Sequence, residues 1–598
     1  MSSIPPAKPL PVLLQEVTHH LQQGSFAAAQ ALLDQAHRIA PHVRDVQMLQ
    51  AILAVQTHQN EKAEQIFRDI LQRDPSDVDA LANLGFLLLQ TRRNQEAAEW
   101  LERAVEIQPK HAGLHFNLGA ALQAVDRHED ARQSYERSLA LDPSDAQTHL
   151  ALGQLLQDQQ DFQGAFASYQ QALELNPGHA QALGKLLLAH PYTEDFDPQA
   201  HHDLAGRLAP SSRMPHEPQA GLRAPKPQLK VGFVSADLRE HPVGLFLESM
   251  LSQIDGARLS LFAYHNNAFE DEASARLRPH FTQWRAIDTL NDQDAAALIR
   301  QDQIDVLIDL SGYTAGHRQG LFALRPAPLQ VSWLGYFSTT GQPAIDYVLA
   351  DPVSVPPEEE HLFVESIWRM PSIRRGFIPP ADAPAITPLP ALERGRITFG
   401  CFQALPKLNN RVLTCWAVIL QRAPMARLRI QSEQLDLPGA RSRFESRLQA
   451  CGLPTERVQL VGRQSRADHL AAYSDVDLLL DTFPYPGSTA TAEALWMGVP
   501  TLTLALPGML GRQGQSIMHT AGLADWVTSS ESDYVARAVQ WAQAGMEPIL
   551  DLVQLRASLR ERVQGTPLFD ARRFARDFEQ AIAGMWQTDP APPLFAGG

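Results

Sequence analysis

"LLLDTFPYPGSTATAEALWMGVPTLTL", residues 478–504, opens on an apolar run, breaks between Pro484 and Gly487, continues as a helix-forming stretch and closes on a second β-branched run. Strand, turn, helix and strand in so short a span make the parallel βαβ unit of an α/β sheet. In such sheets ligands sit beyond the carboxyl ends of the strands, often at a helix start whose free N–H groups attract anions. Gly487 lets a ligand approach the backbone, and Ser488 and Thr489 offer hydroxyls that can cap the helix. A diphosphate fits such a turn.

Working outward, the same rhythm recurs. "LKVGFVS" from 229, "IDVLIDL" from 304 and "LQVSWLGY" from 329 are short β-branched runs alternating with helical segments such as 291–301. After the proline-rich crossing "IPPADAPAITPLPALERG" a second set follows: "ITFGCF" from 397, "ARLRIQS" from 426, "RVQLVG" from 457, "VDLLLDTF" from 476 and "PTLTL" from 500. Two Rossmann-like lobes across a cleft are the simplest architecture. Lys407 lies in "QALPKLNNR", just past the strand that ends at Phe402, and His241 lies just past the first strand, before Pro242 and Gly244. A lysine about 4 Å from a phosphate oxygen contributes roughly 4 kcal/mol at an effective dielectric near 20. A helix terminus contributes about 0.3 to 1, so Lys407 is expected to dominate. Asp475-Val476-Asp477 resembles a metal-binding run, but it sits at a strand start and reads as structural.

Toward the N-terminus the period changes. Prolines stand at 41, 75, 109, 143 and 177, each 34 residues after the last, which is the mark of a helical solenoid. Leu84, Gly85, Leu88 and Ala97 recur as Leu118, Gly119, Leu122 and Ala131, and again as Leu152, Gly153, Leu156 and Ala165. The spacing resembles the tetratricopeptide repeat, with roughly five units over residues 7–176. Stacked helix pairs make a groove suited to an extended peptide. Asn83 and Asn117 share one repeat position and are candidates for gripping an acceptor backbone, although Leu49 and Ala151 interrupt the ladder.

Composition narrows the function. The 598 residues carry 51 Lys+Arg against 67 Asp+Glu, a net charge of −16, which disfavours a nucleic-acid binder and requires any phosphate site to be local. Cys401, Cys415 and Cys451 lack metal-ligand spacing and read as thiols of a reducing compartment. "MSSIPPAKPLPVLL" lacks the basic start and apolar core of a signal peptide, and no run suits a membrane span. The expectation is a cytoplasmic protein with no membrane and no nucleic-acid partner.

"VGFVSADLREHP", "DLSGYTAGHRQGLFALRPAPLQVSWLGYFSTTG", "FGCFQALPKLNNRVLTCW" and the opening stretch, placed after tandem repeats, resemble the O-linked N-acetylglucosamine transferase and SPINDLY family. The resemblance implies an α-helical tetratricopeptide-repeat solenoid followed by an α/β two-lobed glycosyltransferase fold of the B type. It also implies an inverting transfer from a nucleotide sugar to Ser or Thr of a protein, with no metal and no other cofactor. The domains expected are repeats at 1–190, a linker at 191–228, lobes at 229–378 and 379–585, and a flexible tail at 586–598. Carried onto this chain, Lys407 stabilises the departing diphosphate and His241 lies near sugar and acceptor. Gln403, Arg466, His469, Gly487, Ser488, Thr489 and Glu493 bind the donor, and the repeat groove with Asn83 and Asn117 holds protein acceptors. Asp305 stands where the animal members carry a second cleft histidine. UDP-N-acetylglucosamine is the favoured donor. GDP-fucose, as in the plant SPINDLY branch, and a flagellin-modifying role stay open, as do a peptide-binding scaffold with inactive lobes and a small-molecule epimerase.

Overall fold

The computed structural model describes residues 8–207, 223–380, 383–437 and 439–588. The chain divides into two compact units, one ending at Ala182 and the other beginning at Leu183.

In the first unit, the first helices of successive pairs begin at Arg44, Val78, Ala112, Ala146 and Ala180, and the second helices at Phe26, Asn60, Asn94, His128 and Phe162, so both sets keep the interval of 34 residues. Glycine and its partner explain how tightly a pair can cross. A Cβ on Gly85 would lie 2.6 Å from Leu101 Cγ, on Gly119 2.7 Å from Tyr135 Cδ1, and on Gly153 2.5 Å from Tyr169 Cε1. Between the two helices of each pair the chain turns through a left-handed residue: His58, Arg92, Asp126 and Gln160 have φ of 58°, 60°, 59° and 65°. The next N–H then reaches back to a first-helix carbonyl, as Arg93 N does to Leu88 O at 2.8 Å, closing the helix end.

The second unit holds two parallel sheets. In the first lobe β1 (Leu229–Ser235), β2 (Leu259–His265), β3 (Gln283–Ala286), β4 (Val306–Asp309), β5 (Leu329–Ser332), β6 (Tyr347–Ala350) and β7 (Ser366–Arg369) pair in the order 3-2-1-4-5-6-7. In the second, β8 (Thr398–Cys401), β9 (Arg427–Gln431), β10 (Val458–Val461), β11 (Leu478–Leu480), β12 (Thr501–Leu504) and β13 (Val527–Thr528) pair as 10-9-8-11-12-13. The strand order reverses between β1 and β4 in one lobe and between β8 and β11 in the other. Crevices at such reversals bind ligands. All strands of β1, β4, β5, β8 and β11 are buried except for Lys230, which is why these read as continuous apolar runs. β2, β3, β6, β7 and β13 were not evident in the sequence; β3 and β7 are half-buried edge strands with mixed composition.

Asp305 precedes β4 at its amino end, pairs with Lys226 and accepts from Lys230 N at 3.0 Å, so it belongs to the strand edge away from the carboxyl-end loops. Two expectations need correction. The final helix, Ala571–Gln587, expected within the second lobe, packs on the first: Phe578 lies 5.0 Å from Trp333 and 6.3 Å from Phe233, ring to ring, and Glu579 accepts from Asp255 N at 2.7 Å. Its apolar stripe covers a sheet face that would otherwise be wet. The flexible tail expected from 586 does not hold for Trp586, which is buried and donates to Ala224 O at 3.0 Å; residues 589–598 of that expectation lie outside the described residues, as do residues 1–7 and 208–222 of the expected repeat domain and linker.

Candidate active site

The loops after β8 and β11 meet. Asp481, directly after β11, is buried and accepts from Thr482 N at 3.0 Å, Gly487 N at 2.7 Å and Thr503 Oγ1 at 2.8 Å, which fixes the turn. A Cβ on Gly487 would lie 2.0 Å from Gln403 Nε2 and 2.8 Å from Thr491 Oγ1, so the turn sits directly beneath Gln403 and any side chain there would displace it. Lys407 Nζ donates to Pro486 O at 3.2 Å and stands 4.0 Å over the Tyr485 ring. Burial lowers the Lys407 pKa to about 8, against an upward pull from Asp481.

The helix Thr489–Trp496 starts without a side-chain cap. The expected capping by Ser488 does not occur, because its Oγ instead accepts from Arg375 Nη1. Arg375 also donates to Gln513 Oε1 at 2.9 Å and is flanked by the rings of Phe246 and Phe337, each 5.5 Å away. Burial lowers its pKa to about 10. Arg375 follows β7 in a segment that is neither helix nor strand and carries no local motif, so sequence reasoning missed it. Thr489 Oγ1 and Thr491 Oγ1 are buried with no hydrogen-bond partner among the described residues. Uncapped N–H groups, unpartnered hydroxyls and two desolvated cations together make a site for an anion.

Beside this turn, Gln403, Arg466 and His469 line a cavity of about 360 Å³ together with Gln431 and, from the first lobe, Glu240. Glu493 lies behind it: Arg466 Nη2 is 2.6 Å from Oε1 and His469 Nε2 is 3.2 Å from Oε2. Burial alone would raise the Glu493 pKa, but His469 and Arg466 hold it below the ordinary value. The cavity's polar lining and size suit a nucleoside rather than an apolar ligand.

His241 caps the helix Pro242–Leu251 in the loop after β1, its Nδ1 accepting from Val243 N at 3.3 Å. In the neutral ring the proton therefore sits on Nε2, which is a donor. Burial lowers its pKa, Asp237 opposes this and Arg239 reinforces it. In the first unit Asn83 and Asn117 are half-buried at one register position, and Asn83 Nδ2 is tied to Asp79 O at 2.8 Å. Among the described residues no three His, Cys, Asp or Glu side chains converge as a metal-holding group, and Asp477 is spent on Ala391 N and Thr398 N. No described helix is long and apolar enough to cross a membrane.

The glycosyl transferase family 41 model matches residues 207–378 and 389–578, more than half the chain. The chain belongs to glycosyl transferase family 41. A tetratricopeptide-repeat model matches residues 48–112 and 116–180. Over 368 residues the chain is 37% identical to the Petunia hybrida protein SPINDLY, named a probable UDP-N-acetylglucosamine–peptide N-acetylglucosaminyltransferase, covering 61% of this chain and 39% of that one. The Arabidopsis thaliana protein SEC, named for the same activity, is 28% identical over 371 residues, covering 60% of this chain and 37% of that one. The chain thus spans well under half the length of these relatives. A solved mutant O-GlcNAc transferase from Thermobaculum terrenum is 34% identical with a TM-score of 0.73, over 86% of this chain and 98% of that one. This agrees with the fold described above, a helical repeat unit followed by a two-sheet α/β unit.

Proposed function

We propose that this family 41 member is an inverting protein O-glycosyltransferase that moves a sugar from a nucleotide donor to Ser or Thr of protein acceptors, and that the donor is UDP-N-acetylglucosamine. The observation that carries the reading is the meeting of Lys407 and Arg375 on the turn Pro486–Ser488, at an uncapped helix start. The donor's diphosphate lies there, its charge balanced by the two cations and by the N–H groups and threonine hydroxyls of the helix. Gln403, Arg466, His469 and Glu493 hold the nucleoside in the adjoining cavity.

As the bond from the anomeric carbon to the diphosphate oxygen breaks, negative charge grows on the phosphate. Lys407 is already in place to take it up without reorganisation. The acceptor hydroxyl attacks from the opposite face and forms the new carbon–oxygen bond, its proton passes to water, and the nucleoside diphosphate departs with the electron pair of the broken bond. His241, a neutral Nε2 donor, orients the acceptor or sugar. The cationic groups do the work that a divalent ion does elsewhere, so the reaction proceeds without metal. Asn83 and Asn117 belong to the acceptor-binding groove, and the enzyme works in the cytoplasm.

A second donor, GDP-fucose, rests on the resemblance to the plant SPINDLY branch, with which the chain shares 37% identity against 28% with SEC, although both of these relatives are named for UDP-N-acetylglucosamine. Purified full-length chain is incubated with cell lysate and labelled UDP-N-acetylglucosamine or GDP-fucose. Label on protein from the first donor is expected. Label from GDP-fucose alone overturns the donor assignment, and label on no protein overturns the transferase reading.

A further inference from the structure

The three strands that present the nucleotide cavity at their carboxyl ends carry a second cavity at their amino ends. It measures about 190 Å³ and is bordered by the first residues of β8, β9 and β10: Thr398, Arg427 and Val458. Five arginines, 394, 396, 427, 429 and 457, line it, against one lining carboxylate, Glu456. Asp475 supplies a second negative charge, 3.0 Å from Arg394 and 3.5 Å from Arg429. In a chain of net charge −16 this is a local positive excess that the lining groups do not balance.

Two of the arginines are built for a missing partner. Arg429 is 6% exposed, and its Nε is buried with nothing to donate to among the described residues. Arg396 Nε is likewise buried and unpartnered, and Arg396 makes no hydrogen bond or ion pair with any described residue. Planar donors in this state call for an oxyanion, which a guanidinium fork fits better than a point charge does. The volume is too small for a nucleotide sugar and suits a phosphate with at most a small organic part.

The two cavities are wired together. From the arginine side, Arg429 Nη2 donates to Gln431 Oε1 at 2.9 Å, Gln431 Nε2 meets His469 Nδ1 at 3.2 Å, and His469 Nε2 meets Glu493 at 3.2 Å. The helix Arg466–Ala471 continues as a tight turn to Asp475, so one end bears Arg466 and His469 and the other the arginines' counter-charge. It spans roughly 15 Å.

We propose that this arginine cavity binds the phosphate group of a small anion, free phosphate or a phosphomonoester, and that its occupancy changes nucleotide affinity on the opposite edge of the same strands. An oxyanion on Arg429 and Arg394 loosens their hold on Asp475 and Gln431, and both groups bear on the element carrying His469. Only the coupling rests on the nucleotide reading above; the site does not.

Isothermal titration of the full-length chain with inorganic phosphate, and separately with a hexose phosphate, at constant ionic strength and without nucleotide, tests the site. Saturable binding is expected, weakened at least tenfold in Arg396→Gln and lost in Arg429→Met. Tighter hexose phosphate binding identifies the phosphomonoester as the source, and equal or weaker binding identifies free phosphate. Arg396 has no internal partner, so its substitution leaves the fold intact even where Arg429→Met does not. Absence of saturable binding, or binding unaltered in Arg396→Gln, overturns the site. For the coupling, UDP affinity is measured with and without saturating phosphate. A shift of threefold or more in the native chain, absent in Arg396→Gln, is expected. No shift, or an equal shift in both proteins from direct competition, overturns the coupling and leaves the site standing on the first titration.

Discussion

The loop after β1 and the loop after β8 occupy the same place in two lobes of the same strand order, yet one presents His241 and the other Lys407. The resemblance goes further. Each lobe sets a buried aspartate at its reversal strand, Asp309 ending β4 and Asp481 following β11, and each accepts backbone N–H groups from its own loop. Burial lowers the pKa of both bases. The histidine starts near neutrality and is left uncharged at pH 7, whereas the lysine, lowered to about 8, stays mostly protonated. One scaffold and one physical effect thus yield a neutral hydrogen-bonding group in one lobe and a cation in the other, which the proposed function sets on the acceptor side and at the leaving group.

The harshest challenge to that division is Lys407→Met. Transfer should fall by about 10²- to 10³-fold, with circular dichroism unchanged and no rescue by added Mg²⁺ or Mn²⁺. Near-normal activity in the folded variant would place the leaving-group site elsewhere, as would a native activity sensitive to chelator.

His241→Ala challenges the other half. Transfer should drop by about ten- to a hundredfold through lost positioning, while the UDP dissociation constant stays within about twofold. A large loss of UDP binding would put His241 on the donor side.

A titration sharpens the comparison further. Diphosphate binding favours the protonated lysine, so above about pH 8 the free protein must take up a proton to bind. UDP affinity should therefore fall by up to about tenfold per pH unit above that value and level off below it. Lys407→Met should abolish the slope, and a slope that survives the substitution would assign it to another group.

The mildest effect concerns the aspartates. Burial raises the Asp309 pKa from 3.8 to about 6, so the folded chain takes up a proton that the unfolded chain does not. Its contribution to stability should grow as the pH falls through 6 and become constant below 3.8. Asp309→Asn should remove that dependence and cost about 1 kcal/mol at pH 7, because the amide must face the Gln319 amide that donates to Asp309 at 2.6 Å. Thermal melts between pH 4 and 7 read both.

What could be read from sequence followed repetition and punctuation. Prolines 34 residues apart marked the helix pairs because proline stops a helix in every copy, and "TFPYPG" marked the turn because glycine and proline constrain it locally. Gln403, Lys407, Arg466 and His469 could be placed from sequence because they follow the carboxyl ends of β8 and β10, and Glu493 because it lies on the helix that the "TFPYPG" turn begins. Arg375 escaped because what makes it notable, the rings of Phe246 and Phe337 and the hydroxyl of Ser488, arrives from distant parts of the chain. Ser488 was misread for the same reason: a serine before a helix is a cap only until a buried arginine claims its oxygen. The last helix was misassigned because its apolar stripe announces burial without naming the partner.

That last helix has a consequence for how the protein is made. Phe233 and Trp333 leave the ribosome early, and Phe574 and Phe578, which cover them, are among the last described residues to follow. At about 5–20 residues per second the wait for Phe233 is roughly 20 to 70 seconds, during which the half-built lobe carries an uncovered aromatic surface. A chain shortened by a premature stop between residues 514 and 570 would keep every residue of the candidate site, Gln513 included, and still lack the lid of its first lobe, making it a client for chaperones or proteases rather than a weaker enzyme.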